Sequence, residues 1–296
     1  MSAPCPTGVH SAELGVRDVE ACARFYTEVW RLEPVAQSGG SVYLRGSGAI
    51  HHILALHPRG RAELLRLNLA AASRADVDAM HQRVQRAGGA VLEPPAAVAE
   101  PGGGYAFAFR DPEGRLVRVI AGDQRHADVR AGPDRPIGIT HFVLNTPQQE
   151  RAAAFWIEAL GFELSDRSLL TFIRCNADHH SIAFHPGADS TLHHIAFEMA
   201  DIDAVMRGAG RMREHGYPLE WGIGRHGPGN NVFAYFVGPE DFVIEYTAEV
   251  EQVGPGYRVR SPQEWRYAAG RTDLWGVTAP PSERMKAAQA KIRFAP

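Results

Sequence analysis

Three cysteines in 296 residues, Cys5, Cys22 and Cys175, are too few and too irregularly spaced for a disulfide framework or a thiolate metal site. They suit a reducing compartment, and the cytoplasm is the expected location. No apolar run approaches the roughly 20 residues that cross a bilayer as a helix. The opening residues, MSAPCPTGVH, lack the charged-then-apolar order of a secretory leader. Positive charge is not in surplus either: 31 Lys and Arg stand against 34 Asp and Glu, for a net charge of −3. The arginines are scattered, so neither nucleic acid nor an anionic membrane is expected as a partner.

What the chain does have is histidine, 14 residues in all, and a plan that occurs twice. The length is comfortable for two hydrophobic cores. His51-His52-Ile53-Leu54-Ala55-Leu56-His57-Pro58 returns as His179-His180-Ser181-Ile182-Ala183-Phe184-His185-Pro186. A strand-like start, Gly8 to Leu14, is answered by Ile139 to Leu144, with His10 opposite His141. Asp111-Pro112-Glu113-Gly114 is answered by Gly238-Pro239-Glu240-Asp241. Apolar spacing predicts helices over Val19–Trp30, Arg74–Ala87, Gln148–Ala159 and Asp201–His215, two of them stopped by Gly88-Gly89 and Gly216. Leu169–Arg174, His193–Glu198 and Val232–Val237 read as strands. The domain reading is therefore 1–123, a polar linker 124–136, a second domain 137–249, and a tail 250–296. Carrying Trp265, Tyr267 and Trp275, that tail is expected to pack on the core or between subunits of a homo-oligomer.

The two halves differ in chemistry. In the second, His141 sits in a strand-like run, His194 in His193-His194-Ile195-Ala196-Phe197, and Glu245 in Phe242-Val243-Ile244-Glu245-Tyr246. A carboxylate among apolar neighbours needs a partner. Two imidazoles and one carboxylate on one face make a site for a divalent cation that keeps open positions. In the first half Arg118 stands where Glu245 does, the region of Leu64-Leu65-Arg66 has no histidine, and only His10 survives. That half cannot build the triad.

These residues resemble the extradiol catechol dioxygenases of the vicinal oxygen chelate superfamily, in particular the catechol 2,3-dioxygenase branch. The likeness covers both halves and is strongest from Ile139 to Tyr246. It implies an α+β fold of two tandem repeats, each of paired βαβββ modules forming an open curved β-barrel, with metal only in the C-terminal repeat. The family's ligands fall on His141, His194 and Glu245. Its Leu-His-His motif stands as Leu192-His193-His194 and selects His194 over His193. Strand alternation supports choosing one of the two. Three further positions match: His180, the histidine beside the oxygen site; His226, a second pocket histidine; and Tyr235, the tyrosine that hydrogen-bonds the substrate oxygen. The resemblance thus implies Fe(II), with Mn(II) suited to the same ligands, and a catechol-type substrate cleaved with O2. Gly238-Pro239-Glu240-Asp241 departs from the family's Asp-Pro-x-Gly-Asn hairpin. The alternatives are a non-oxidative, glyoxalase-like metalloenzyme and a metal-free module that binds an aromatic drug.

Overall fold

Four times along the chain a strand and a helix are followed by three more strands. The first unit is β1 (Gly8–Val16), α1 (Val19–Arg24), β2 (Glu33–Ser38), β3 (Ser41–Arg45) and β4 (Leu54–Pro58). The second is β5 (Glu63–Ala70), α2 (Arg74–Arg86), β6 (Ala90–Ala97), β7 (Tyr105–Arg110) and β8 (Leu116–Ala121). The third is β9 (Ile139–Thr146), α3 (Gln149–Leu160), β10 (Glu163–Arg167), β11 (Thr171–Arg174) and β12 (Ile182–Pro186). The fourth is β13 (Thr191–Glu198), α4 (Ile202–Glu214), β14 (Trp221–Arg225), β15 (Val232–Val237) and β16 (Val243–Ala248), after which the tail contributes α5 (Glu283–Ala288) and β17 (Ile292–Phe294). The structure is a computed structural model and describes residues 4–129, 132 and 134–296. Residues 1–3 of the expected first domain, and Arg130, Ala131 and Pro133 of the expected linker, lie outside the described residues.

Pairing joins these units two by two. In the first half the strands run β2-β3-β4-β1-β5-β8-β7-β6. In the second they run β10-β11-β12-β9-β13-β16-β15-β14, the same order. Each half is thus an open, curved mixed sheet built from two βαβββ modules. The central strands β9, β15 and β16 are buried along their whole length, because helices cover one face and the curved sheet closes on the other. Strand β17 pairs with both β13 and β5 and ties the two halves together.

Local signals explain the helix ends. Asp18, Ser73 and Asp201 each accept a hydrogen bond from the backbone N–H three residues on, at 2.9, 3.1 and 2.8 Å. Gly88 and Gly216 follow α2 and α4 with positive φ. Two expectations are corrected. The Val19–Trp30 helix is regular only to Arg24. Phe25–Val29 forms a wider π-type turn, whose extra residue rotates Phe25, Tyr26, Val29 and Trp30 into the core. The Leu169–Arg174 strand begins at Thr171, because Leu169 lies exposed in the preceding turn. The altered hairpin at Gly238 leaves β15 and β16 in unbroken register from Val232↔Ala248 to Val237↔Val243. Its Glu240 reaches back to accept from the N–H groups of Arg17 and Asp18, at 2.7 and 3.1 Å, at the start of α1.

Candidate metal centre

Register on three neighbouring strands assembles the site. His141 on β9 stands opposite Ala196 on β13, and Ala196 stands opposite Glu245 on β16. His194 lies two residues before Ala196 and so faces the same side of the sheet. Ala196, central in the row, brings only a methyl group, which leaves space between the three polar side chains. Their ligand atoms lie within 4.8 Å of one another. Glu245 Oε2 is 3.1 Å from His194 Nε2 and 3.3 Å from His141 Nε2.

These contacts are not directed as hydrogen bonds. His194 Nε2 and Glu245 Oε2 are buried atoms with no hydrogen-bond partner among the described residues. Leaving such groups unpaired in a protein interior costs about 1–3 kcal/mol each, more when charged. Two nitrogens and one carboxylate oxygen this close together fit a divalent cation with vacant positions. Burial alone would raise the Glu245 carboxyl, but the two imidazoles outweigh it and hold the group well below the usual carboxylate range. The site therefore offers a full negative charge. His194 Nδ1 lies 2.7 Å from His193 Nδ1. If Nε2 is to ligate it must carry a lone pair, and the His194 proton would then sit on Nδ1 with His193 accepting it. His193 would then orient the His194 ring, and the candidate cluster contains His194 and not His193.

The rim holds the other three expected residues. His180 is buried, its ring centroid 4.3 Å from that of His141. It rests against Phe172 and against Gly229, where a Cβ would come within 2.9 Å of its Cε1. Burial, and then the surrounding histidines, push His180 well below the ordinary imidazole range. Tyr235 stands opposite Glu245 on β15, and its Oη lies 3.0 Å from His226 Nε2. Burial and then Glu245 raise the Tyr235 phenol well above its usual range. Burial lowers His226 to about 4, against the pull of Glu245. Both groups are therefore neutral near pH 7. Trp221 stacks on Tyr235 at 5.2 Å and 22°.

Residues 8–119 and 138–246 each match the Glyoxalase/Bleomycin resistance protein/Dioxygenase superfamily. The chain belongs to that superfamily. Within it, metapyrocatechase 2 of Cupriavidus necator is 33% identical over 205 residues, 61% of this chain and 63% of that protein, so the chain matches less than two thirds of that relative's length. The Mn(II)-bound glyoxalase from Novosphingobium aromaticivorans superposes with a TM-score of 0.88 at 37% identity, over 95% of this chain and 94% of that one. Homoprotocatechuate 2,3-dioxygenase from Brevibacterium fuscum shares the fold, with a TM-score of 0.83 at 23% identity, over 93% of this chain and 80% of that one.

The superfamily duplication supplies an internal control. In the first half the row is Ser11, Asn68 and Arg118, with Arg66 in place of His194. The expected counterpart of His141 is therefore corrected from His10 to Ser11. Register shifts fall at His10 in β1 and at Thr140 in β9, so a match of histidine to histidine is one residue out of step. Ion-paired side chains fill the space instead of a ligand set. Glu13 accepts from Arg66 at 2.6 and 2.8 Å and from Asn68 at 3.0 Å, and Glu100 bridges Arg66 and Arg118 at 2.9 and 2.5 Å.

Sequence reasoning missed Asn231, whose amide reaches Glu245 Oε1 at 3.4 Å and Thr247 at 2.8 Å. It also missed Asp166, which binds His179 at 2.9 Å. An asparagine beside a glycine turn and an aspartate in a polar strand carry no local signal of a buried site. Tyr267 of the tail accepts from the Gly227 N–H at 2.8 Å, which fixes the His226 loop.

Proposed function

We propose that the chain is an extradiol dioxygenase that cleaves a catechol-type ring with O2, using Fe(II) held by His141, His194 and Glu245 in the catalytic half, residues 137–249. The convergence of these three groups, with His180 and the His226–Tyr235 pair on the same rim, carries this reading. The likeness to the Cupriavidus metapyrocatechase supports it. Mn(II) suits the same donors, and the Novosphingobium relative holds Mn(II).

When bound, the cation supplies Lewis acidity toward the two diol oxygens and a redox path between ring and O2. The side chains do the rest. Tyr235, held neutral, donates its hydroxyl hydrogen to the diol oxygen and favours its ionised form. His226 donates to Tyr235 Oη, which polarises that hydroxyl. His180, whose ring lies against that of His141, moves a proton to and from the oxygen-side atoms. Phe172 packs on His180 and Trp221 on Tyr235, which holds both side chains in place. Both oxygen atoms end in a ring-opened product of the 2-hydroxymuconic semialdehyde type.

A second reading is favoured by one observation, the 37% identity to a protein named a glyoxalase. It would make the site a non-oxidative isomerase of a thiol adduct. Anaerobic loading with Fe(II), then a panel of substituted catechols in air, separates the two. A yellow ring-fission product with one O2 consumed per ring is expected. Absence of oxygen uptake on every catechol, with turnover of a hemithioacetal by the Mn(II)-loaded protein, would replace the first reading by the second.

A further inference from the structure

Behind His180 runs a line of buried polar groups that the proposed reaction does not yet use. Asp166 on β10 and His179 are both fully buried. His179 Nε2 lies 2.9 Å from Asp166 Oδ2, and His179 Nδ1 lies 3.1 Å from His180 Nδ1. Beyond this contact the His180 ring faces His141, and its Nε2 has no hydrogen-bond partner among the described residues.

The order of protons along the line follows from the carboxylate. Asp166 accepts from His179, from the Arg260 backbone N–H at 2.7 Å and from the Tyr257 hydroxyl at 3.1 Å. The His179 and Arg260 bonds outweigh its burial and keep it ionised, below the ordinary range. An ionised carboxylate only accepts, so the His179 proton sits on Nε2. His179 Nδ1 is then a lone pair, and the hydrogen in the 3.1 Å contact belongs to His180 Nδ1. The opposite order would set the bare Nε2 of His179 against a buried anion.

The first half shows that a paired histidine alone does not carry this arrangement. His51 and His52 make the same contact at 3.0 Å. There the His51 ring stacks on His126, and no carboxylate among the described residues accepts from it. Among the described residues, a carboxylate is hydrogen-bonded to the histidine pair in the half that holds the triad and not to the pair in the other.

We propose that Asp166 and His179 are positioning residues that hold His180 as its Nδ1–H tautomer, presenting a bare Nε2 to the metal-side cavity. The tail takes part through Arg260 and Tyr257, which fix Asp166 from the other side. The consequence for turnover rests on the ring-cleavage reading. In that tautomer His180 Nε2 accepts a hydrogen bond from a hydroxyl in the cavity, and the ring is held for it through His179 by Asp166.

The tautomer is read directly on the full chain, labelled with 15N-histidine and loaded with Zn(II), by two-bond proton–nitrogen correlations assigned with the His180→Gln protein. An Nδ1–H signal for His180, and a strongly downfield Nε2–H for His179, are expected. An Nε2–H tautomer of His180 in the wild type overturns the proposal, whatever any variant does. In the Fe(II) enzyme, Asp166→Asn and His179→Phe, the latter keeping the ring packing, should lower kcat about 10- to 100-fold. KM and iron content should hold, and Asp166→Glu should restore part of the loss. Wild-type kcat in both variants also overturns it. A wild type with the expected tautomer that consumes no O2 with any catechol removes the ring-cleavage reading and leaves the tautomer assignment standing.

Discussion

The indole of Trp30 lies flat on the ring of Tyr246, with centroids 3.7 Å apart and planes 9° from parallel. Trp30 belongs to the first half, and Tyr246 follows Glu245 on β16 with its ring on the opposite face of the strand. The strand that carries Glu245 is therefore backed by a side chain of the half that has no triad. Trp30 is fully buried and also meets Phe197 and Phe236 edge-on.

Trp30→Ala should destabilise the protein by about 3–5 kcal/mol, the usual cost of emptying a large aromatic site. Urea unfolding checks this. A change under 1 kcal/mol would mean that the halves are not coupled through this stack.

Glu245→Gln should leave the far-UV spectrum intact and strip the metal. The amide removes the one negative charge in the set and offers N–H groups where a lone pair is required. Metal analysis after Fe(II) loading and desalting should fall from about one ion per chain to a small fraction. Undiminished iron in the variant would rule out the ligand role.

His180→Phe should retain iron and slow ring cleavage about 10²- to 10⁴-fold, as expected for loss of a proton-transfer group. Gly229→Ala should act on the same ring from outside. Its φ of +80° disfavours any side chain, and a Cβ would press on the imidazole. Steady-state kinetics with parallel iron assays test both, and full activity in the first would take His180 out of the chemistry.

Glu13 makes a prediction about acid stability. Burial would raise its carboxyl, but His57, Arg66 and Arg118 outweigh it and hold the group well below the ordinary range. A depressed folded-state pKa contributes stability that is complete above the unfolded value, about 4.3, and is lost as pH falls below it. Glu13→Gln should cost about 3 kcal/mol at pH 7 by stranding Arg66, with Glu100 limiting the loss. It should also flatten the decline in stability below about pH 4. Denaturant midpoints from pH 3 to 7 measure both effects, and an unchanged acid limb would contradict the second.

Residue types and their order along the chain already contained the duplication, the strand and helix pattern, and the contrast between Glu245 and Arg118. They are legible because a carboxylate inside an apolar strand is costly wherever it lies, and because strands and helices carry different apolar periods. Tertiary structure alone decided that Ser11 rather than His10 takes the register position of His141, since one bulge residue in each strand shifts the match by one. It alone brought Asp166 to His179, and Tyr267 to the His226 loop. Those contacts join segments far apart in sequence, and nothing in the local propensity of a polar strand or an aromatic tail records which distant partner will meet it.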